Sequence, residues 1–202
     1  VTVSSTLVDN TEIIAFPGLT LTPVSFGTAS PDRVIAVLGF IIGGTPTAVT
    51  IGGYTGSFIS VASGSDTIAI AWAMVPTGTT GDIVWTAAGA AGSIHWQAAS
   101  IIGSSGIPEF DSDLVTGATT TINTLAGGGV VAFNANITGT VGWTNATSLG
   151  TYTGAAGWSV GCGNVDNTSE ATGTSIISSQ AFGATGSLSF SSLYASAAWV
   201  KA

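Results

Sequence analysis

Large apolar residues alternate with small ones most sharply in Asp66–Trp85, DTIAIAWAMVPTGTTGDIVW. Ile68, Ile70, Trp72 and Met74 alternate with Ala69, Ala71, Ala73 and Val75, and a period of two predicts a β-strand. Because both faces are apolar, the strand is expected in the middle of a sheet, covered on both sides. Pro76–Gly81 brings one proline and two glycines, which suit a reversal of the chain. Asp82–Thr86 is then expected to return as the second strand of a hairpin.

The same reading extends along the chain. Arg33–Ile42 is almost wholly apolar and predicts a second central strand, closed by Gly43-Gly44-Thr45-Pro46. Thr47–Ile51 and Tyr54–Ala62 follow as short strands, and Gly89–Gly92 predicts a turn. Ser93–Ile102 alternates, with Ile94, Trp96, Ala98 and Ser100 on one side and His95, Gln97, Ala99 and Ile101 on the other. Before these, Val1, Val3 and Ser5 alternate with Thr2 and Ser4, and Glu12–Phe16 and Leu19–Phe26 follow. Residues 1–30 are expected to form edge strands or an attachment arm. Further strands are predicted at Glu109–Val115, Thr119–Leu125, Val130–Ala135, Val141–Leu149, Trp158–Cys162, Thr174–Phe182, Ser187–Phe190 and Ala195–Val200, with a long loop at Gly163–Gly173.

No segment keeps apolar residues at helical spacing. About thirteen short strands at roughly 8–15-residue intervals predict an all-β fold, an antiparallel, jelly-roll-like β-sandwich. With no linker and no repeat of roughly 20–50 residues, it is expected to form one domain over residues 1–202.

Composition narrows the function. Hydrophobic residues make up 45% of the 202, including six Trp and eight Phe, so a large core can form. Only 6% are charged, against about 25% in an ordinary domain. Ten carboxylates face only Arg33 and Lys201, for a net charge of −8. A chain so poor in cations cannot displace counterions from nucleic acid or dock on anionic lipid. The longest apolar run, Val34–Ile42, is far short of the roughly 18 residues of a membrane span. Cys162 is alone, so no internal disulfide forms. A surface of hydroxyls with almost no Lys lacks the usual protection of strand edges, and suits a protein whose edges are covered in an assembly.

Several motifs together resemble a family. They are Arg33-Val-Ile-Ala-Val, the TAVTIGG segment at Thr47–Gly53, VPTGTTGDIVW at Val75–Trp85 and IHWQAASIIG at Ile94–Gly103, followed by GGGVV at Gly127–Val131 and ASAAW at Ala195–Trp199. This order is similar to the small β-sandwich virion proteins of tailed bacteriophages, of head-decoration or tail-fibre type, over about residues 33–199. The resemblance implies a non-enzymatic structural protein of the virion. It implies assembly with other virion proteins, a homo-oligomer and no catalytic residues.

The chemistry in the chain supports a few sites. Glu109, Asp111 and Asp113 alternate in Glu-Phe-Asp-Ser-Asp. On a strand they share a face about 7 Å apart, as carboxylate ligands of Ca²⁺ could; the competing reading is a solvated edge. No other cofactor is expected. Asp166 and Glu170, with Asn164 and Asn167, make a second acidic segment. Trp143, Tyr152 and Trp158 are the aromatic residues best placed to stack on a cell-surface glycan, with core packing as the alternative. A glycan-binding or lectin-like module is therefore the second functional expectation, and a polysaccharide-degrading enzyme using a carboxylate pair the third. Trp72, Trp85 and Trp96 are assigned to the core, and Arg33 is expected to pair with Asp32 or another acid.

Overall fold

The computed structural model describes residues 3–13, 19–104, 111–116, 119–137, 139–153, 158–166, 171–182 and 193–199. Among them every regular element is a strand and every strand pairing is antiparallel. The first half holds β1 (Ser4–Ile13), β2 (Leu19–Ser25), β3 (Val34–Ile51), β4 (Tyr54–Thr55), β5 (Ser57–Ser63), β6 (Asp66–Met74) and β7 (Thr80–Ile102). The second holds β8 (Asp111–Thr116), β9 (Thr119–Thr124), β10 (Gly129–Ile137), β11 (Gly139–Thr144), β12 (Thr147–Thr153), β13 (Trp158–Asp166), β14 (Ala171–Phe182) and β15 (Leu193–Trp199). The expected strand at Ser187–Phe190 lies outside the described residues.

Two expected turns are bulges inside long strands. β3 has 18 residues and β7 has 23, and they pair with each other along nearly their whole length. The register shifts between Ile42 and Gly44 and again between Pro46 and Ala48. Gly43 (φ 76°) and Gly89 (φ 95°) take the positive φ that the first shift needs. Extra residues at these points bend the ladder without reversing the chain. Pro46 is tolerated because β3 has lost β6 as a neighbour there, the β3–β6 pairing ending at Ile41 and Thr67. The Asp66–Trp85 stretch is also not a hairpin. β6 and β7 are separated by β3 in the sheet order β1-β7-β3-β6-β5, so the 76–79 segment crosses between layers.

The bends fold this first sheet over on itself. The early half of β3 lies with β1, the late half of β7 and β6; its late half lies with β2, the early half of β7 and β4. One layer takes β1, the late half of β7, the early half of β3 and β6, with β5 added at its edge, and the other takes β2, the early half of β7, the late half of β3 and β4; apart from the added β5 this is the order of a jelly roll. A dry core fills the space between them, with Leu19, Leu21, Ile35, Val37, Ile51 and Trp85 among its members. A Cβ on Gly39 would stand 3.1 Å from the Trp85 ring, so the glycine lets the indole cross from one layer to the other.

The second half repeats this plan. Its sheets run β12-β13-β10-β15-β8 and β11-β14-β9, the same order with each bent strand now split in two. The register repeats as well. Val34 pairs with Met74 at the end of β6, and Gly129 pairs with Asp166 at the end of β13. A core containing Ile122, Val130 and Ala132, with Trp143 packed against it, fills this second roll. The two rolls meet along their larger sheets in a third apolar layer, where Val34, Ala36, Leu38, Phe40, Ile68 and Ile70 face Val131, Phe133, Ala135, Val160 and Cys162. β6 touches β15 while β7 touches β13, and β5 touches β8 while β1 touches β12. In each of these two pairs of contacts the roles of the rolls are exchanged, as across an approximate two-fold axis, while β1 also reaches β10 and β13. The sandwiched sheets are covered on both sides, which is why β3, β6 and β10 are apolar on both faces.

Candidate functional site: a hydroxyl-lined cleft at the mouth of the first roll

The apolar interior of the first roll stops short of its β1 edge. In β1 and β7, Ser4 stands opposite Ile102 and Thr6 opposite Ser100, and cross-strand partners share a face of the sheet. Ser100 has the same parity along β7 as the core residues Ile94, Trp96 and Ala98, so the core row ends on a hydroxyl. Val8, next along β1 on this face, packs against the core. The Gly27–Thr28 segment closes the other side, leaving a cleft of about 270 Å³.

The walls of this cleft are pinned. Gly27 has φ +68°, and a Cβ there would come within 3.3 Å of Val8 Cγ1, so the loop lies close on β1. Asp9 accepts hydrogen bonds from the backbone N–H groups of Asn10 and Ser25, each at 2.9 Å. Asp32 accepts from Ser30 Oγ and, at 2.8 Å, from Gly103 N, which ties the end of β7 to the 27–32 loop. These bonds, the Ser30 hydroxyl foremost, hold the Asp32 carboxyl below its ordinary pKa.

Arg33 completes the clamp, and here the structure corrects the sequence-based expectation of an ion pair. The side chain is fully buried and meets no carboxylate among the described residues. It donates to five carbonyls: Nε to Val75 at 2.8 Å, Nη1 to Phe26 and Gly27 at 3.2 and 3.0 Å, and Nη2 to Thr77 and Gly78 at 2.9 and 2.8 Å. Five N–H groups on five acceptors exhaust the guanidinium. Burial lowers its pKa.

The residues singled out from the sequence do not gather at one place. Trp143 packs into the core of the second roll, where a Cβ on Gly163 would lie 2.7 Å from its ring. Tyr152 packs on the layer between the rolls. Trp143 and Tyr152 thus sit in different apolar layers; Trp158 begins β13 and its side chain lies outside the described residues. Asp111 and Asp113 fall on β8, the edge strand, paired to Ala198 and Ser196. Their side chains and the whole of Glu109 lie outside the described residues, as do Asn167 and Glu170. Among the described residues no group of three or more His, Cys, Asp and Glu is placed to hold a metal.

Asn164 and Asp166 lie on β13, within what the sequence suggested was a loop. Asp166 accepts from Ser5 N at 3.0 Å and Ser5 Oγ at 2.7 Å, and Asn164 Nδ2 donates to Ser5 Oγ at 2.8 Å. This polar knot joins the two rolls. His95 is buried, 6.1 Å from the Phe40 ring. Cys162 is buried, and desolvation drives its thiol pKa far upward, so it has no nucleophilic character. Trp85 and Trp96 are core residues, as expected, and Trp72 is partly buried between the rolls.

No family model matches the chain, and neither a curated protein nor a solved structure is significantly similar to it. The cleft residues Ser4, Thr6, Thr28 and Ser100 escaped the sequence reading because Ser and Thr are everywhere in this chain. The one available signal was Ser100 continuing the Ile94, Trp96, Ala98 row.

Proposed function

We propose that this chain is a non-enzymatic structural protein of a tailed-bacteriophage particle, decorating the capsid or forming part of a tail or fibre. The observation that carries the reading is where the reactive groups go. Asp9, Asp32, Asp66 and Asp166 each accept hydrogen bonds from backbone or hydroxyl donors. Cys162 and His95 are buried. These four carboxylates, Cys162 and His95 are taken up by the fold, and the described surface is rich in hydroxyls, with Asp82 among its exposed residues.

Two rolls in one chain give a compact block with open edges at the β1 and β5 sides of one large sheet and the β8 and β12 sides of the other. Tyr54 and Met74, 41% and 43% exposed, are the large apolar side chains left on the described surface. Strand edges without Lys or Arg and such apolar side chains favour lateral packing into an oligomer with neighbouring virion proteins. Quantitative mass spectrometry of purified particles tests the reading. A copy number close to that of the capsid subunit places the chain on the head, and a small fraction of it places the chain on the tail. Absence from the particles overturns the proposal.

A further inference from the structure

We propose that the cleft at the mouth of the first roll is a binding site for one neutral sugar residue. Four hydroxyls line it, those of Ser4, Thr6, Thr28 and Ser100, and none of them makes a side-chain hydrogen bond among the described residues. Ser4, Thr6 and Thr28 are exposed and can be satisfied by solvent. Ser100 is different: only 7% of it is exposed, it stands where the core row ends, and it lines the cleft. Its hydroxyl has no partner among the described residues and is open to whatever fills the cleft, water or a ligand that replaces it.

The chemistry of the walls selects that partner. No charged side chain is among the described residues that line the cleft, and the nearby carboxylates of Asp9 and Asp32 are already engaged by backbone donors. An ion would find no counter-charge. Hydroxyls both donate and accept, which matches a ligand whose own groups do both, and Val8 and Ile102 offer C–H surface beside them. A volume of about 270 Å³ lies just below the roughly 300 Å³ at which pockets for drug-sized ligands begin; it suits a single pyranose ring. The pinned loop and strand mean that little ordering is needed on binding. The site is separate from Trp143, Tyr152 and Trp158, and it does not depend on whether the chain resides in a particle.

Amide NMR of the ¹⁵N-labelled full chain tests this directly. The probes are the methyl pyranosides of glucose, galactose, mannose and N-acetylglucosamine. At least one is expected to give saturable shifts centred on Ser4, Thr6, Thr28 and Ser100, with a Kd on the order of millimolar. Ser100→Ala should weaken that binding about tenfold or more while leaving the rest of the spectrum in place, and the surface change Thr6→Val should weaken it as well. The proposal is overturned if no probe saturates, if the shifts map elsewhere, or if both variants bind like the parent protein.

Discussion

Arg33 has all five of its N–H groups on backbone carbonyls drawn from two loops, residues 26–27 and 75–78. It acts as a cross-brace with a charge rather than as half of an ion pair. Removing it leaves several acceptors short of donors, each worth about 1–3 kcal/mol where water cannot replace them. Arg33→Met is therefore expected to lower stability by at least about 3 kcal/mol in urea denaturation. Arg33→Lys restores three donors on one point and should recover part of the loss but not all; full recovery would mean that charge alone matters. The sequence placed Arg33 correctly, at the start of a central strand. It could not reveal the partners, because backbone carbonyls carry no residue identity and one of the two loops that supply them, residues 75–78, is distant along the chain.

At the scale of elements, apolar alternation made most strands legible, and glycine and proline misled at particular points. Gly43-Gly44-Thr45-Pro46 and Gly89–Gly92 have turn composition, yet they face each other across β3 and β7 and form a paired bend. Turn and bulge draw on the same positive-φ residues, so only the partner strand tells them apart. Gly39 and Gly163 have a different role, as beds for Trp85 and Trp143. The hypothetical Cβ stands 3.1 Å from the ring at Gly39 and 2.7 Å at Gly163. Gly163→Ala is accordingly expected to destabilise by about 1–3 kcal/mol through overpacking, and Gly39→Ala by less, in the same denaturation measurement. Combining Gly163→Ala with Trp143→Phe should cost less than the sum of the two single changes, because the smaller ring vacates the contested space. Strict additivity would show that the ring and the glycine do not contend.

The duplication belongs to the whole molecule, and nothing in the linear pattern announced it. Equivalent positions keep their place in the register and change identity, even from apolar to charged: Gly129 stands where Val34 stands, and Asp166 where Met74 stands. Sheet order and register retain the likeness that side chains have lost. The physical consequence is that each roll buries one face of its larger sheet only by meeting the other. Phe40 from one and Phe133 from the other lie at 1% and 0% exposure in that shared layer, and the Ser5–Asn164–Asp166 knot seals one margin. The chain is thus two rolls in one polypeptide that share an apolar layer, and that layer is expected to hold them together without the covalent link. A protease site inserted within residues 105–110 and then cut should leave the halves together in gel filtration and unfolding in a single transition. Phe133→Ala, which removes about 3–5 kcal/mol of packing from a buried site, should lower the midpoint of both halves in hydrogen exchange and promote their separation after cleavage. Halves that part once the chain is cut in the unsubstituted protein would show instead that each roll is stable alone and that the shared layer is only a contact between finished domains.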